Sequence, residues 1–322
     1  MARSVAHAPT EDSEHDYPVN PRESIDKITW SYSKRSMLEQ CARRYYYEYY
    51  GANKRTAKGE KEKDSLHLLK AVQNRFERAG SILHLVIRVY LQKKRNGDVW
   101  TPSRAVDWAR GLFEEDIRYS RRYPDGNHIA QVTYPPTLLR EYHYRQPDAD
   151  RLCNETSERL VHALGVFFSA QCDIFRRDAI STNSVIEGRI SLKGLPCKVG
   201  GQVDLAYLDG DHVNVIDWKM GGEEGTGDDS LQLAVYGLWA LDHFHCSVDA
   251  LRVMKVHLSG GDISTFRAGT EVLASAQARI IQDAERMAVM NYYGNIARKE
   301  AFTPCSYVSV CRLCSFEKVC HA

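Results

Sequence analysis

The fold is constrained most by the order of short strand and helix patterns that begins near residue 185. Three segments with strand character, SVIEGRISL, CKVGGQVDLAYL and HVNVIDWKM, are separated by KGLP and by Asp209-Gly210, a strong hairpin signal. SLQLAVYGLWALDHF then has helical periodicity, and ALRVMKVHL is a further strand pattern. With the helix that precedes them, these segments predict an α/β fold with an α-β-β-β-α-β core and a mixed central sheet.

The rest of the chain is predicted to be mainly helical. SYSKRSMLEQCARRYYYEYYG predicts a helix that ends at Gly51, and AGSILHLVIRVYL belongs to a helix that runs to about Lys94. Residues 101–180 have a mostly helical pattern, interrupted by a loop rich in Pro and Tyr at about 121–148. A long amphipathic helix covers roughly 270–299.

The chain has 322 residues, which is enough for a substantial core in one large domain or two modest ones. Residues 1–26 are polar and acidic, so we expect a disordered tail there. We expect one domain at 27–322, with a helical basic part at 27–180, a sheet core at 181–300 and a cysteine-rich end at 301–322. Neither a long apolar run nor a secretory signal is present, which predicts a cytoplasmic protein without a membrane span.

The net charge of +1 conceals a strong asymmetry. Residues 27–95 hold 17 Lys and Arg but 6 Asp and Glu, a local charge of +11, so the remainder carries −10. This asymmetry is typical of a nucleic-acid binder, although a solvated helix face would give the same count. Arg43 and Arg44 lie among five tyrosines, a composition that suits phosphate contact and base stacking. We expect most of those tyrosines to pack in the core.

Carboxylates are predicted to gather on the sheet. If Asp209 and Gly210 form a two-residue turn, Asp204 lies diagonal to Asp217, and both share a face with Lys219. The preceding hairpin, with Lys193 to Pro196 as its loop, places Glu187 opposite Gln202 on that same face, unless Gly200-Gly201 forms a bulge.

Such a cluster of like charges is unfavourable unless a cation neutralises it. Carboxylate oxygens suit Mg²⁺ or Mn²⁺, which can activate water against a phosphodiester. The ammonium group of Lys219 could steady the water or the phosphate. The alternative is a set of exposed acidic side chains on the outer face of an amphipathic sheet, because D-x-K alone is a weak motif.

Several motifs in order resemble the PD-(D/E)XK nuclease superfamily, in particular its RecB-like branch with an iron–sulfur cluster. They are SYSKRSMLEQCARRYYYEYYG, AGSILHL, IEGRISL, GGQVDLAYLDGDHVNVIDWKMG, LQLAVYGL and CRLCSFEKVC. The resemblance covers most of residues 28–320, with a poor match near 100–180, and is strongest to AddB nuclease domains and CRISPR adaptation nucleases. It implies a restriction-endonuclease-like fold.

The resemblance also implies roles for particular residues. His84, Asp204 and Asp217 would bind Mg²⁺ or Mn²⁺, and Lys219 would complete the D-x-K motif. Glu187 resembles an upstream acidic residue that supports the metal site. Gln232 and Tyr236 match a Q-x-x-x-Y motif whose spacing puts both side chains on one helix face, toward the site or the DNA. Met220 departs from the family, which often has Thr or Ser there, and the loop GGEEGTGDD is unusually acidic.

Nine cysteines in a reducing compartment indicate metal, cofactor or burial rather than disulfides. Cys311, Cys314 and Cys320 form C-x2-C-x5-C, and with Cys41 they resemble the 4Fe–4S arrangement of AddB-like nucleases. A zinc site made of Cys305, Cys311, Cys314 and Cys320 is the alternative. We expect Cys153, Cys172, Cys197 and Cys246 to be buried or incidental.

The resemblance therefore implies a metal-dependent DNA nuclease, more an exonuclease than an endonuclease, acting on single strands or DNA ends. Its pathway could be DNA repair and recombination, mobile-element or phage-related processing, or antiviral defence. No G-x-x-x-x-G-K-[ST] motif occurs, so a helicase or another nucleic-acid-processing partner would be a separate chain. The alternatives are an inactive nuclease-like DNA-binding or scaffold subunit, and a structural protein stapled by zinc.

Overall fold

A computed structural model describes residues 25–51, 60–126, 133–179, 181, 183–221, 229–292 and 295–320. Its helices are α1 Tyr32–Gln40, α2 Ala42–Tyr46, α3 Glu60–Ala71, α4 Arg75–Arg95, α5 Pro102–Arg122, α6 Arg140–His143, α7 Ala149–Phe167, α8 Asp173–Ala179, α9 Ser230–Phe244, α10 Thr270–Met290, α11 Val308–Cys311 and α12 Glu317–Cys320. Its strands are β1 Thr29–Trp30, β2 Ser184–Ile190, β3 Lys198–Val199, β4 Gly201–Asp209, β5 His212–Lys219, β6 Leu251–His257, β7 Asp262–Phe266, β8 Asn291–Tyr292 and β9 Asn295–Ile296. Over these ranges, no helix has both the length and the apolar character needed to cross a membrane.

The central sheet has five strands in the order β2-β4-β5-β6-β7. β5 and β6 run parallel, joined by α9, while the other neighbours run antiparallel. This arrangement confirms the predicted α/β class, the α-β-β-β-α-β order and the mixed sheet. β7 is an additional strand that the sequence pattern did not predict.

The register of the predicted hairpins was wrong. Asp209 pairs with His212, so Gly210 and Asp211 form the turn, with Gly210 in the left-handed region at φ +57°. Gln202 pairs with Arg189 rather than lying opposite Glu187. In both hairpins the observed turn is centred one residue later than predicted. Each residue therefore pairs with a partner two positions further along the neighbouring strand than expected.

Two layers cover the sheet. Leu205, Ile216 and Trp218 pack with α4, α5 and α7 on one face, whereas Val213 and Val215 pack with α9 and α10 on the other. In α4, Asn74 and Glu77 form a capping box at the start, and Ile82, Leu83, Val86 and Ile87 form the buried stripe. The neighbouring stripe of α4, which includes His84 and Arg88, faces β2 and β4 across the edge of the sheet.

The sequence predicted a single N-terminal helix that ends at Gly51, but the structure has two helices there, α1 and α2. Cys41 is extended at φ −160° and ψ 103°, which separates α1 from α2, and residues 47–51 form a π-type turn. Tyr45, Tyr47 and Tyr50 are buried, which confirms the expectation that most of the tyrosines pack inside. The last long helix ends at Met290 rather than near 299.

The predicted disordered tail of residues 1–26 falls mostly outside the described residues. At its end, however, Ile25 begins a short 3-10 helix that runs to Lys27, and its side chain is buried in the core. Trp30, also buried, donates its indole N–H to Asp283 Oδ2 at 3.2 Å and joins this segment to α10.

Candidate active site

Four side chains from β5 and α9 form a closed ring of polar contacts. Lys219 Nζ donates to Gln232 Oε1 at 3.2 Å, and Gln232 Nε2 donates to the Tyr236 hydroxyl at 2.7 Å. Tyr236 donates in turn to Asp217 Oδ1 at 3.3 Å, and Asp217 Oδ2 lies 2.8 Å from Lys219 Nζ. Asp217 and Lys219 are two residues apart on one strand, and Gln232 and Tyr236 are one helical turn apart. Each spacing places its pair on one face, so the two pairs close the ring.

Asp204 lies beside this ring and joins β4 to both β5 and α4. Its Oδ1 is 3.0 Å from His84 Nδ1, and its Oδ2 accepts a hydrogen bond from the backbone N–H of Trp218 at 2.8 Å. The last pair of the β4–β5 ladder toward the site is Leu205 with Ile216. Beyond it, the Asp204 carboxylate accepts the Trp218 N–H in place of a main-chain carbonyl. The sequence-predicted His84, Asp204, Asp217 and Lys219 are thus brought together.

The regular alternation of side chains fails at Asp204. Val203 and Leu205 are two residues apart, yet they pack in opposite layers, Val203 in the layer of α9 and α10 and Leu205 in the layer of α4. The neighbouring strand is distorted in the same row, because Glu187 has φ +50° and is missing from the β2–β4 ladder. Asp204 therefore contacts α4, whereas Asp217 contacts α9, and the prediction that both share one flat face does not hold. The sheet is opened locally between them.

Glu187 lies next to Asp204 but is held by its own partners. Arg88 Nη1 donates to Glu187 Oε2 at 2.6 Å, and Gln202 Nε2 donates to the same oxygen at 2.9 Å. Arg88 follows His84 by one turn of α4, so that helix supplies one contact to Asp204 and the next to Glu187.

Burial and the neighbouring Asp204 raise the pKa of the Asp217 carboxyl to about 6, despite the opposing effect of Lys219. Burial lowers the pKa of Lys219, but the attraction of Asp217, with smaller contributions from Asp229 and Asp204, outweighs it and the net shift is upward. His84 behaves similarly, since burial lowers its pKa while Asp204 and Asp217 together raise it by more. The pKa of Tyr236 is raised well above 10 by burial and by Asp217, so its hydroxyl remains a donor. The site is an anionic centre with one ammonium group inside it.

Three residues at the rim were not found from the sequence. Lys255 stands across from Asp217 in the parallel β5–β6 ladder and donates to Asp229 Oδ2 at 3.1 Å. The Tyr32 hydroxyl donates to Asp229 Oδ1 at 3.2 Å. Asp229 immediately precedes α9, so this group ties the start of the helix to β6 and to α1. No turn fixes the register of parallel strands, and for this reason the sequence pattern gave no signal for Lys255.

Five cysteines line one cavity between the N-terminal and C-terminal parts of the chain. They are Cys41, Cys305, Cys311, Cys314 and Cys320. Cys305 Sγ and Cys311 Sγ are 3.6 Å apart, and burial raises the pKa of the Cys314 thiol to about 11. Across the described part of the chain, no three His, Cys, Asp or Glu side chains are already arranged as a metal-coordination shell. Both cysteine sets considered from the sequence face this cavity, while Cys153, Cys172 and Cys197 are buried elsewhere.

The cysteine-rich end is also held by donors from other elements. Arg140 Nε donates to the Cys314 carbonyl at 2.9 Å, the Tyr144 hydroxyl to the Ser315 carbonyl at 2.6 Å, and the Tyr47 hydroxyl to the Val319 carbonyl at 3.0 Å. Arg140, almost wholly buried, also pairs with Glu317. These hydrogen bonds hold the C-terminal segment against the helical part of the chain.

Arg43 and Arg44 both have partners within the protein. Arg43 Nε donates to the Phe302 carbonyl at 2.8 Å, and Arg44 Nη2 pairs with Glu77 at 2.7 Å while its side chain lines the cysteine cavity. Contact between these residues and nucleic acid stays a prediction.

A family model described as the PD-(D/E)XK nuclease superfamily matches residues 29–321. A solved structure described as "Crystal structure of SSO0001" is similar at 16% identity, over 53% of this chain and 80% of that chain, with a TM-score of 0.27. A likeness at that level carries no argument about fold or function. The search of curated proteins found no match.

Proposed function

Since the chain belongs to the PD-(D/E)XK nuclease superfamily, we propose that it is a Mg²⁺- or Mn²⁺-dependent nuclease that hydrolyses phosphodiester bonds in DNA. The observation that carries this proposal is the closed ring of Asp217, Lys219, Gln232 and Tyr236 beside Asp204. A buried carboxylate fixed by a phenol and a half-buried ammonium group fixed by an amide form a preorganised charged site rather than a solvated sheet face.

The residues present fit a divalent cation. Asp217 Oδ2 is buried and, within the described residues, accepts no hydrogen bond of good geometry, although an ammonium group lies near it. Asp204 adds a second carboxylate, and His84 adds an imidazole whose Nδ1 faces that carboxylate. We propose that His84, Asp204 and Asp217 hold the ion and that Glu187 supports the site. When bound, a cation of this kind activates water and neutralises charge on phosphate.

The chain's own residues then supply orientation. Gln232 fixes the direction of the Lys219 ammonium group, which can donate to the attacking water or to a phosphate oxygen. Tyr236 keeps the Asp217 carboxylate in place by donating to one of its oxygens. Burial of this ring excludes water from one side, which strengthens its electrostatic contacts.

For the substrate, we propose single-stranded DNA or DNA ends, with exonucleolytic cleavage favoured. The process would be repair, recombination, or mobile-element or phage-related processing, including antiviral defence, with any helicase supplied by another chain. The basic composition of residues 27–95 supports a polyanionic substrate. Arg43, Arg44 and Tyr236 are the residues proposed to contact the nucleic acid.

A cleavage panel tests this function. Single-stranded, double-stranded and branched DNA are incubated with Mg²⁺ or Mn²⁺, using wild type, Asp217→Asn and Asp242→Asn. Asp242 is an exposed carboxylate on the outer part of α9 and serves as the matched control. We expect wild type and Asp242→Asn to cut, and Asp217→Asn to lose at least about a thousandfold in rate. Equal cleavage by all three proteins would point to a contaminant and overturn the proposal.

We propose further that the cysteine cavity holds a 4Fe–4S cluster bound by Cys41, Cys311, Cys314 and Cys320. The support is that Cys41, from the start of α2, lines the same cavity as the three C-terminal thiols. Such a cluster would join distant parts of the chain and stabilise the fold as a long-range cross-link does.

Metal analysis of anaerobically purified protein tests the cluster. We expect a brown protein that contains iron, loss of iron in Cys41→Ala, and retention of iron in Cys305→Ala. A colourless protein that contains zinc, keeps it in Cys41→Ala and loses it in Cys305→Ala would show instead that the C-terminal cysteines form a zinc site.

A further inference from the structure

A groove opens beside the ring of polar contacts and is built by three parts of the chain. Residues 31–33 form one wall, residues 200–202 form the other, and Gln232 and Tyr236 of α9 close one end. The walls are held at a fixed spacing because β1 and β3 pair in parallel and Gly200 N donates to the Trp30 carbonyl at 2.8 Å. Ile190 and Val235 add apolar lining.

The groove is continuous with the candidate active site. Gln232 and Tyr236 line it and also contact Lys219 and Asp217. A molecule lying in the groove would therefore reach the reacting centre at that end. Gly200 and Gly201 have no side chains, so no side chain from these two residues fills the groove.

The polarity of the groove differs from that of the site it adjoins. Among its described lining residues none is acidic, and its polar groups are hydroxyls and amides. Ser31 Oγ and Ser33 Oγ lie 3.2 Å apart on the same wall. Arg189 is exposed, pairs with Gln202 in the β2–β4 ladder and precedes the lining residue Ile190 in the chain. An anion with a hydrogen-bonding backbone suits these walls better than a cation does.

We propose that this groove binds the nucleotide next to the scissile phosphate, so that one nucleic-acid strand passes between residues 31–33 and 200–202. Its sugar–phosphate backbone contacts the hydroxyls of Ser31 and Ser33, and Gln202 faces it from the other wall. This inference rests on the proposed nuclease function and defines its substrate as a strand separated from its complement at the site, because both walls flank the one strand.

A charge placed in the groove tests the inference. Ser33 is exposed and stands in the first turn of α1, where an acidic side chain is compatible with the helix. Ser33→Glu and Ser33→Gln have similar size and differ in charge. Ser36→Glu, one turn further along α1, adds the same charge outside the groove.

Two readouts are compared on a short single-stranded oligodeoxynucleotide: the KM for cleavage, and binding by fluorescence anisotropy without divalent metal. We expect Ser33→Glu to weaken both by at least about tenfold relative to Ser33→Gln, because like charges repel at the contact. Ser36→Glu should stay within about threefold of wild type.

The outcomes separate the two proposals. If wild type cleaves DNA but the Glu and Gln variants at position 33 have the same KM and the same anisotropy, the groove proposal is overturned. If wild type cleaves no DNA while Ser33→Glu still weakens binding relative to Ser33→Gln, the strand-binding groove is supported and the nuclease function fails.

Discussion

At the scale of single residues, the Asp217–Lys219 pair illustrates how burial changes the value of an ion pair. Both side chains are largely shielded, with Asp217 almost wholly buried. By contrast, Lys93 and Asp98 lie 3.0 Å apart with about half of each side chain exposed. Removal of one partner leaves a charge that water does not solvate only in the Asp217–Lys219 pair, so similar distances imply different energies.

We predict that Lys219→Met, measured without divalent metal, destabilises the protein by about 3–5 kcal/mol in urea unfolding, because Asp217 loses its counter-charge. Lys93→Met should cost less than about 1 kcal/mol. Adding Asp217→Asn to Lys219→Met should restore most of the loss, since the stranded carboxylate is then neutral. Equal effects of Lys219→Met and Lys93→Met would contradict this account.

Glu187 illustrates strain at a single position. Its φ of +50° is a left-handed conformation that a residue with a Cβ adopts at a cost, and such strain is often kept at functional sites. The conformation turns the carboxylate toward Arg88 and coincides with the opening of the sheet. Local sequence gives no sign of it, because the strand pattern of SVIEGRISL is regular.

We predict that Glu187→Gly is more stable than Glu187→Ala by about 1 kcal/mol, because glycine adopts positive φ without steric strain. Both variants lose the carboxylate, so both should lose cleavage activity while differing in unfolding midpoint. Arg145, also at positive φ but in an exposed ion pair, provides a comparison: Arg145→Gly should exceed Arg145→Ala in stability with activity unchanged in both. An alanine variant as stable as the glycine variant at position 187 would argue against strain there.

At the scale of elements, the start of α9 determines where Gln232 and Tyr236 lie. Asp229 accepts from Tyr32 and from Lys255, so one carboxylate connects α9 to α1 and to β6. The 15-residue α9 was predicted with its observed bounds, but its attachment was not. Helix periodicity is local, whereas the partners of Asp229 come from 197 residues earlier and 26 residues later in the chain.

We predict that Asp229→Asn lowers kcat by about tenfold with little change in KM, because a looser helix start misplaces the groups that orient Lys219 and Asp217. Asp242→Asn, on the same helix but exposed, should leave both parameters unchanged. Combination with Lys255→Met should add little to the Asp229→Asn effect if the two act through one contact. Fully additive losses would show that they act separately.

At the scale of the whole molecule, the charge asymmetry is used partly for internal attachment. Arg75 pairs with Glu141 at 2.9 Å and Arg78 with Asp116 at 2.6 Å, so basic residues of 27–95 meet acidic residues of the later chain. Arg88 with Glu187 is a third such pair. A count of charges along the sequence therefore overstates the positive surface available to a substrate.

The cysteine-rich end is the second whole-molecule feature. Arg140 donates to the carbonyl of Cys314 and pairs with Glu317, and it is buried where it does so. Side chains from the helical part therefore hold this end through contacts that involve none of its thiols.

We predict that Arg140→Met releases residues 308–320 and lowers stability by about 3 kcal/mol, since it leaves Glu317 and a carbonyl without their donor. Hydrogen exchange over that segment should rise sharply, and bound iron should fall. Arg145→Met, which removes an exposed arginine, should change neither. Unchanged exchange at 308–320 in Arg140→Met would show that the segment is held chiefly by its apolar contacts.

The sequence by itself determined the α-β-β-β-α-β order, the mixed sheet, the core position of most N-terminal tyrosines and the family motifs, because these follow from periodicity, turn residues and residue spacing. The tertiary structure decided the register, the failure of alternation at Asp204, the group formed by Lys255, Asp229 and Tyr32, and the meeting of Cys41 with the C-terminal cysteines. The physical reason is range. Periodicity and turns act over a few residues, whereas these features arise from packing between segments far apart in the chain.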